Sequence, residues 1–560
     1  MGDGPDIKRR APDIVMRLKR LGSLHQSRLS FMRILTRRLA RDAWRFEPRA
    51  FQMDRGGVGH AVYTAHGPDR AYSLVAFAHD LPDDQRSDRV IAEAWDATFT
   101  LFDGIPTAQD IARLAKNVPL QETGRVSETE LTLSRANRSV RLWAHVIERL
   151  AAGLQPDPQM IESVGYLMRT TAVYGSGKFG AADRAMIADR PEMHVPFQAE
   201  MLSVYLIRWF VRDLVQHMAD ARGAGKTAKL APDIARRLGI GNSTGLGMAP
   251  FLINHPVLLN NWISVREDAI AQVRALAQAT PGEADVFRDI FRRAKASVAV
   301  WRSDHPIQIE KLASLRADLA ALSGKLRQTN FARSHPWDHL MRWAEDTLSE
   351  EGQEFLASLI LEPYGALVDH LANHMASDAP EPARIKGTMP IARVRALVRQ
   401  NFGWSEDLDW SAKEHTARAW YVSEEKLEPR LGERFDEPIA AYEQPLAPAR
   451  DAIAALKALK PWEDTATIAA FLLRHPEHRH IIRRVQMTRH APYAEIRDNT
   501  IGAEVLPIDM LRAKLSFFGA THFDPRSDRW VRICMFAGAP YPDDLTDKTS
   551  DLWVYPETPA

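Results

Sequence analysis

Apolar residues recur at helical spacing over 159–170, 197–219, 282–302, 307–327, 337–348 and 351–375, and clusters of Pro, Gly and Asn separate these spans. The span 197–219 is apolar nearly all round, with Met201, Leu202, Val204, Tyr205, Leu206, Trp209, Phe210 and Leu214, which predicts a buried helix. Its Glu200, Arg208 and Arg212 then need partners, because an unpaired buried charge costs several kcal/mol (about 3–5). They are read either as an internal ion-pair network or as an anion pocket. Residues 376–390, ASDAPEPARIKGTMP, have three prolines and no apolar period, which suits a linker. Beyond them the spacing predicts helices near 391–401, 449–459, 464–474 and 507–515, then a short strand or two in FFGATHFDPRSDRWVRICMFAG.

Upstream of 159 the pattern is mixed. Ile14, Met16, Leu18, Leu21, Phe31, Ile34 and Leu35 suggest basic amphipathic helix, and GHAVYTAH and AYSLVAFAHDL flank the turn Gly67-Pro68-Asp69-Arg70 as a hairpin. Ser127 followed by Glu130 has the form of a capping box and predicts a helix through Leu150, ended by Gly153 and the Gln-Pro-Asp-Pro run at 155–158. The expected fold is mainly α, with a small antiparallel β element (the hairpin near 60–79) and short strands near the C-terminus. Three regions are expected: an α+β region at 1–155, a helical region at 156–380 with two Gly-rich segments, and a mostly helical region at 381–560.

The chain has 560 residues, of which 45% are hydrophobic and 26% charged, within the globular range. Its 73 Lys+Arg against 72 Asp+Glu give +1, which removes any whole-molecule electrostatic case for nucleic acid. Residues 1–50 differ, with 13 basic against 5 acidic residues, so nucleic acid is disfavoured and left open only through this segment. The single cysteine, Cys534, excludes an internal disulfide, and a charged N-terminus without an apolar stretch gives no secretory signal; a cytoplasmic protein is expected. Arg208, Arg212, Asp213 and His217 interrupt the most apolar stretch, so no transmembrane segment is expected.

Gly223-Ala224-Gly225-Lys226-Thr227 resembles the end of a P-loop, but Asp220 stands where the first glycine belongs, so it is a polar loop. In the segment 169–180, Gly175, Gly177 and Gly180 surround Tyr174 and Lys178, offering backbone donors, a phenol and an ammonium to a phosphate or carboxylate. Residues 239–250 place Gly239, Gly241, Gly245 and Gly247 around Asn242, Ser243 and Thr244, with His255 close behind. Such a cluster marks close backbone approach to a ligand or to another helix. Arg489, His490, Tyr493, Glu495 and Arg497 form a mixed acid–base stretch. His370 and His374 lie one helical turn apart without a specified third ligand beyond Asp369 or Asp378, and HPEHRH at 475–480 reads as a solvated loop. Cys534, between Ile533 and Met535, reads as core.

These features predict a cytosolic enzyme that binds an anionic small molecule and acts on it by acid–base chemistry of the lyase or transferase type. Tyr174, His490 and His255 are the candidate proton-transfer groups. Gly177, Lys178, Arg208, Arg212, Asn242, Ser243, Thr244, Gly245, Arg489 and Arg497 are the candidate binding groups. The residues name no cofactor, and no metal site is assigned. The alternative is a non-catalytic helical scaffold that engages a macromolecule through its basic N-terminal helix.

Overall fold

The computed structural model describes residues 7–82, 94–119, 128–170, 187, 189–244, 256–376, 386–411, 422–423, 426–427, 448–488, 490–497, 511–527 and 530–555. Its dominant element is a nine-stranded mixed sheet. Strands β1 (Arg45–Met53), β2 (Gly59–His66), β3 (Ala71–Ala78), β4 (Ala97–Asp103), β5 (Glu130–Arg138) and β6 (Tyr166–Thr170) follow one another as antiparallel neighbours. Strand β7 (Gly239–Thr244) then lies parallel to β6. A two-residue ladder, β8 (Val422–Ser423) with β9 (Lys426–Leu427), stands apart, and β10 (His522–Ser527) and β11 (Trp530–Met535) complete the large sheet, with β11 between β7 and β10.

This overturns the expectation of a mainly α chain with a small β element, because the hairpin near 60–79 is two strands of a sheet that runs from residue 45 to residue 535. The physical reason is burial on both faces. On one face Tyr63, Phe99 and Thr132 pack against the helix Gln198–Arg222, with Tyr63 4.7 Å from Trp209, Phe99 5.7 Å from Phe210, and Thr132 Oγ1 2.6 Å from Ser203 Oγ. On the other, Val62, Val75, Phe77, Phe102 and Leu133 form a second cluster with Leu114 and Val118, at the helix Ala108–Asn117 and its C-terminal cap. Strands covered on both sides lose the apolar–polar alternation that marks a half-exposed strand. The helix expected from Ser127 is instead strand β5 followed by a helix at Trp143–Ala151, and the span 159–170 divides into a helix Pro158–Val164, Gly165 in the left-handed region (φ 77°), and β6.

In the helical middle the spans 282–302, 307–327 and 337–348 are helices as expected, while 351–375 divides into a helix Glu350–Leu359 and shorter turns at Gly365–Val368 and Asp369–Met375, and a helix Pro256–Arg274 is added. Pro256, Pro281, Pro306 and Pro336 each open a helix, where the missing N–H is no loss, and Thr280 with Glu283 caps the second of these reciprocally. One apolar core joins the sheet, these helices and the C-terminal strands, and it is continuous across residue 155. The helices Ile391–Phe402, Pro448–Leu459, Ile468–Arg474 and Arg479–Thr488 close around a separate core of Ile391, Val398, Phe402, Leu459, Phe471 and Val485.

The basic N-terminus is not one helix. It holds short turns at Pro12–Val15 and Leu18–Arg20, a helix at Phe31–Arg41 and then β1. Several of its arginines are ion-paired within the chain. Arg10 meets Glu267 and Glu354 at 2.7 Å each, Arg20 meets Glu350 at 3.0 Å, Arg28 meets Asp369 and Asp551, and Arg33 meets Glu362 at 2.7 Å. Burial alone would raise the Glu354 carboxyl, but Arg10 and Arg266 hold it down to about 2. Among the described residues no helix is long and apolar enough to cross a membrane.

Candidate functional site

Strands β6 and β7 are the parallel pair of the sheet, in register at Tyr166↔Gly239 and Arg169↔Gly241, and both finish at the same end, at Thr170 and Thr244. In sheets with parallel strands the crevice beyond the carboxyl ends is the usual place for ligands. In sequence, the two Gly-rich segments follow those two ends directly. Residues 171–186 and 245–255 lie outside the described residues, and with them Tyr174, Gly177, Lys178, Gly245 and His255; Arg489 lies outside as well.

Gly239 and Gly241 belong to β7 itself and not to a loop. A Cβ on Gly239 would come within 2.3 Å of Met535 O, and one on Gly241 within 2.7 Å of the Tyr166 ring, so neighbouring strands fill both places. Asn242, between them and the strand end, is buried. Its Nδ2 donates to Thr170 O across the parallel pair at 2.8 Å. Its Oδ1 accepts from Lys514 Nζ at 3.4 Å. Ser243 and Thr244 continue β7 opposite Arg532 and Val531.

Lys514 opens a π-helix, Lys514–Phe518, that ends at Gly519 with φ 98°. Single π turns are rare and concentrate at functional sites. The lysine is fully buried, and that burial pushes its ammonium down to about 7. Its Nζ lies 5.1 Å from the centre of the Phe518 ring, and Phe517 packs edge-on against Trp262 at 3.7 Å. Two residues earlier Arg512 bonds Glu351. The segment before the helix Phe31–Arg41 runs alongside: Gln26 Nε2 donates to Ala520 O at 3.3 Å, and Ser27 N donates to Ser516 O at 3.1 Å. Gln26 Oε1, Ser30 Oγ and Ser516 Oγ are buried without a hydrogen-bond partner among the described residues. Unsatisfied buried polar groups are uncommon enough to need a reason.

Of the residues singled out in the sequence, Asn242 is the one placed in this cluster. Arg208 is buried and engaged by main chain: Nε donates to Leu238 O at 2.7 Å, Nη2 to Arg236 O at 3.1 Å and Nη1 to Pro540 O at 3.4 Å, with the guanidinium 3.9 Å from the Tyr541 ring centre. Arg212 covers the same ring and pairs with Asp213 and Asp543, both at 3.1 Å. Main-chain carbonyls thus hold Arg208, and two carboxylates hold Arg212. Arg497 donates to Asn401 O at 2.9 Å, Tyr493 OH donates to Arg10 O at 2.8 Å, and Glu495 pairs with Arg484, so this stretch fastens the small helical unit to the N-terminus. His490 is exposed. Burial raises the Cys534 thiol to about 12, which keeps it protonated and inert.

Sequence reasoning missed Lys514. The available signal was a lysine heading the apolar run KLSFFGA, where a helix near 507–515 had been expected to end. The chain matches no protein-family model, no curated protein and no solved structure. The chemistry of the site therefore rests on its own geometry.

Proposed function

We propose that the chain is an enzyme acting on an anionic small molecule, a carboxylate or phosphate compound, at the carboxyl ends of β6 and β7. The observation that carries this reading is the Lys514–Asn242 contact at the end of the parallel pair, where both Gly-rich segments leave the sheet in sequence. A lysine lowered to about 7 exchanges its proton at neutral pH, which suits a general acid–base group, and in its charged form it attracts an anion with little competition from water. Asn242 orients it, and Lys178, Gly177 and the backbone at Gly245 are the proposed ligand-holding groups, with Tyr174 or His255 as a second proton carrier. Lyase or transferase chemistry in the cytosol remains the proposed setting. The rival scaffold reading has weaker support, because the N-terminal arginines it would present to a partner are held by Glu267, Glu354, Glu362, Asp369 and Asp551.

The test is calorimetric titration of the full chain, and of Lys514→Met, with a panel of phosphorylated and carboxylated metabolites. At least one panel member is expected to bind wild type, with affinity lowered at least about tenfold in Lys514→Met, roughly 1.4 kcal/mol. Equal binding by both proteins overturns the assignment.

A further inference from the structure

In the small helical unit, the joint between the helix Ile468–Arg474 and the helix Arg479–Thr488 is made by His475, Pro476, Glu477 and His478. Sequence alone suggested a solvated loop. The fold instead turns three ligand-type side chains toward one point: His475 Nδ1 lies 3.2 Å from Glu477 Oε1, His478 Nε2 lies 3.8 Å from the same oxygen, and one ligand atom from each residue lies within 4.8 Å of the other two. For a tetrahedral zinc ion bound at 2.0–2.1 Å, neighbouring donors stand about 3.4 Å apart. The two measured edges bracket that distance.

We propose that His475, Glu477 and His478 form a zinc-type divalent metal site. Two imidazoles and one carboxylate suit this borderline ion, and three protein ligands leave a fourth position open to water or a ligand. The surroundings are those of a supported site. Phe471 lies beneath both imidazoles, stacked on His475 at 4.9 Å and on His478 at 5.9 Å, and Trp462 closes the side of His475 at 6.3 Å. This aromatic floor fixes the ring planes and keeps water from one side. Asp451, from the neighbouring helix Pro448–Leu459, adds negative charge, acting electrostatically on His478 and standing 3.7 Å from His480. The side chains of His475 and Glu477 are 34% and 51% exposed, so an ion can enter from solvent. The other histidine pair differs: His370 and His374 are exposed with rings 6.4 Å apart, and Asp369 beside them is bound by Arg28 and Arg37. Asp378 lies outside the described residues.

The experiment uses untagged, chelator-treated full-length chain, titrated with zinc by calorimetry and with cobalt(II) while its visible absorption is recorded. About one equivalent of zinc is expected to bind, and cobalt is expected to give the intense bands of a four-coordinate site, displaced by zinc. His475→Ala and Glu477→Gln should each weaken zinc binding at least about tenfold, and both positions are open enough for the fold to tolerate the change, checked by an unaltered melting curve without metal. His370→Ala/His374→Ala should bind as wild type does. Absence of binding at tens-of-micromolar zinc overturns the proposal, as does binding that survives in His475→Ala/His478→Ala or is lost in His370→Ala/His374→Ala.

Discussion

Lys514 Nζ donates to Asn242 Oδ1, joining a π-helix near the C-terminus to the strand that ends the parallel pair. Because the same asparagine donates to Thr170 O, a single side chain links β6, β7 and the buried ammonium. Removing its amide leaves the Thr170 carbonyl without this donor and the lysine without this acceptor. Asn242→Leu should therefore cost stability, about 1–3 kcal/mol, and also shift the pH at which Lys514 titrates. Urea unfolding and the pH dependence of lysine-selective acylation check the two effects, and unchanged acylation would sever the link.

Lys514 also makes stability depend on pH in a stated direction. Its pKa of about 7 in the folded chain lies below the ordinary 10.5, so between these values the unfolded chain holds a proton that the folded chain has released. Stability from this group rises with pH across that window, by at most about 1.4 kcal/mol per pH unit, and is flat and least favourable below about 7. Lys514→Met removes the dependence and is expected to be more stable than wild type at pH 7. Unfolding free energies of both proteins at pH 7, 8 and 9 give the difference, which should shrink as pH rises; a constant difference would contradict the assigned shift.

The Arg10–Glu267–Arg266–Glu354 network adds a dependence of the same sign in a separate, acid window. Glu354 is held at about 2 against an ordinary 4.5, so its contribution is complete above 4.5 and is lost as pH falls from there toward 2. Arg266→Met leaves Glu267 with Arg10, and Glu354 with Arg10 and the more distant Arg20, and should destabilise the chain by about 3–5 kcal/mol at neutral pH. Acid unfolding monitored by circular dichroism should then begin at higher pH than in wild type.

Gly241→Ala tests strand packing. Its Cβ would meet the Tyr166 ring at 2.7 Å, and the expected loss is roughly 1–3 kcal/mol of stability. Because the clash is with one ring, Gly241→Ala should be less costly in a Tyr166→Leu background, a coupling that a double-mutant cycle measures directly.

Arg208→Met is expected to destabilise without altering ligand affinity in the folded fraction, since three carbonyls lose their donor. A selective loss of affinity at unchanged melting temperature would restore Arg208 to the site.

These contrasts show where the sequence was informative. The helix Pro256–Arg274 was not among those expected, but helices that open on Pro281, Pro306 and Pro336 declare themselves through local chemistry, and the structure follows them to within a few residues. The sheet does not. Glu130 sits three residues after Ser127 and imitates a capping box, yet it begins β5, because Leu131 and Leu133 join apolar clusters and Thr132 bonds Ser203 on the covering helix. Gly239 and Gly241 look like loop residues because the atoms that fill their missing Cβ positions come from Met535 and Tyr166, far away in sequence. The site was half visible for the same reason. Asn242 stands among glycines and invites notice, whereas Lys514 acquires its meaning only when β7 and β11 pair.

That seam also orders the events of biosynthesis. Cys534 on β11 bonds the Gly165 carbonyl at the foot of β6, a partner 369 residues earlier. As the chain leaves the ribosome, the edge of β7 that pairs with β11 has no partner until β11 has been made. A nascent or prematurely stopped chain would offer that edge to its neighbours, and a chaperone that shields exposed strand edges would be expected to act at this stage.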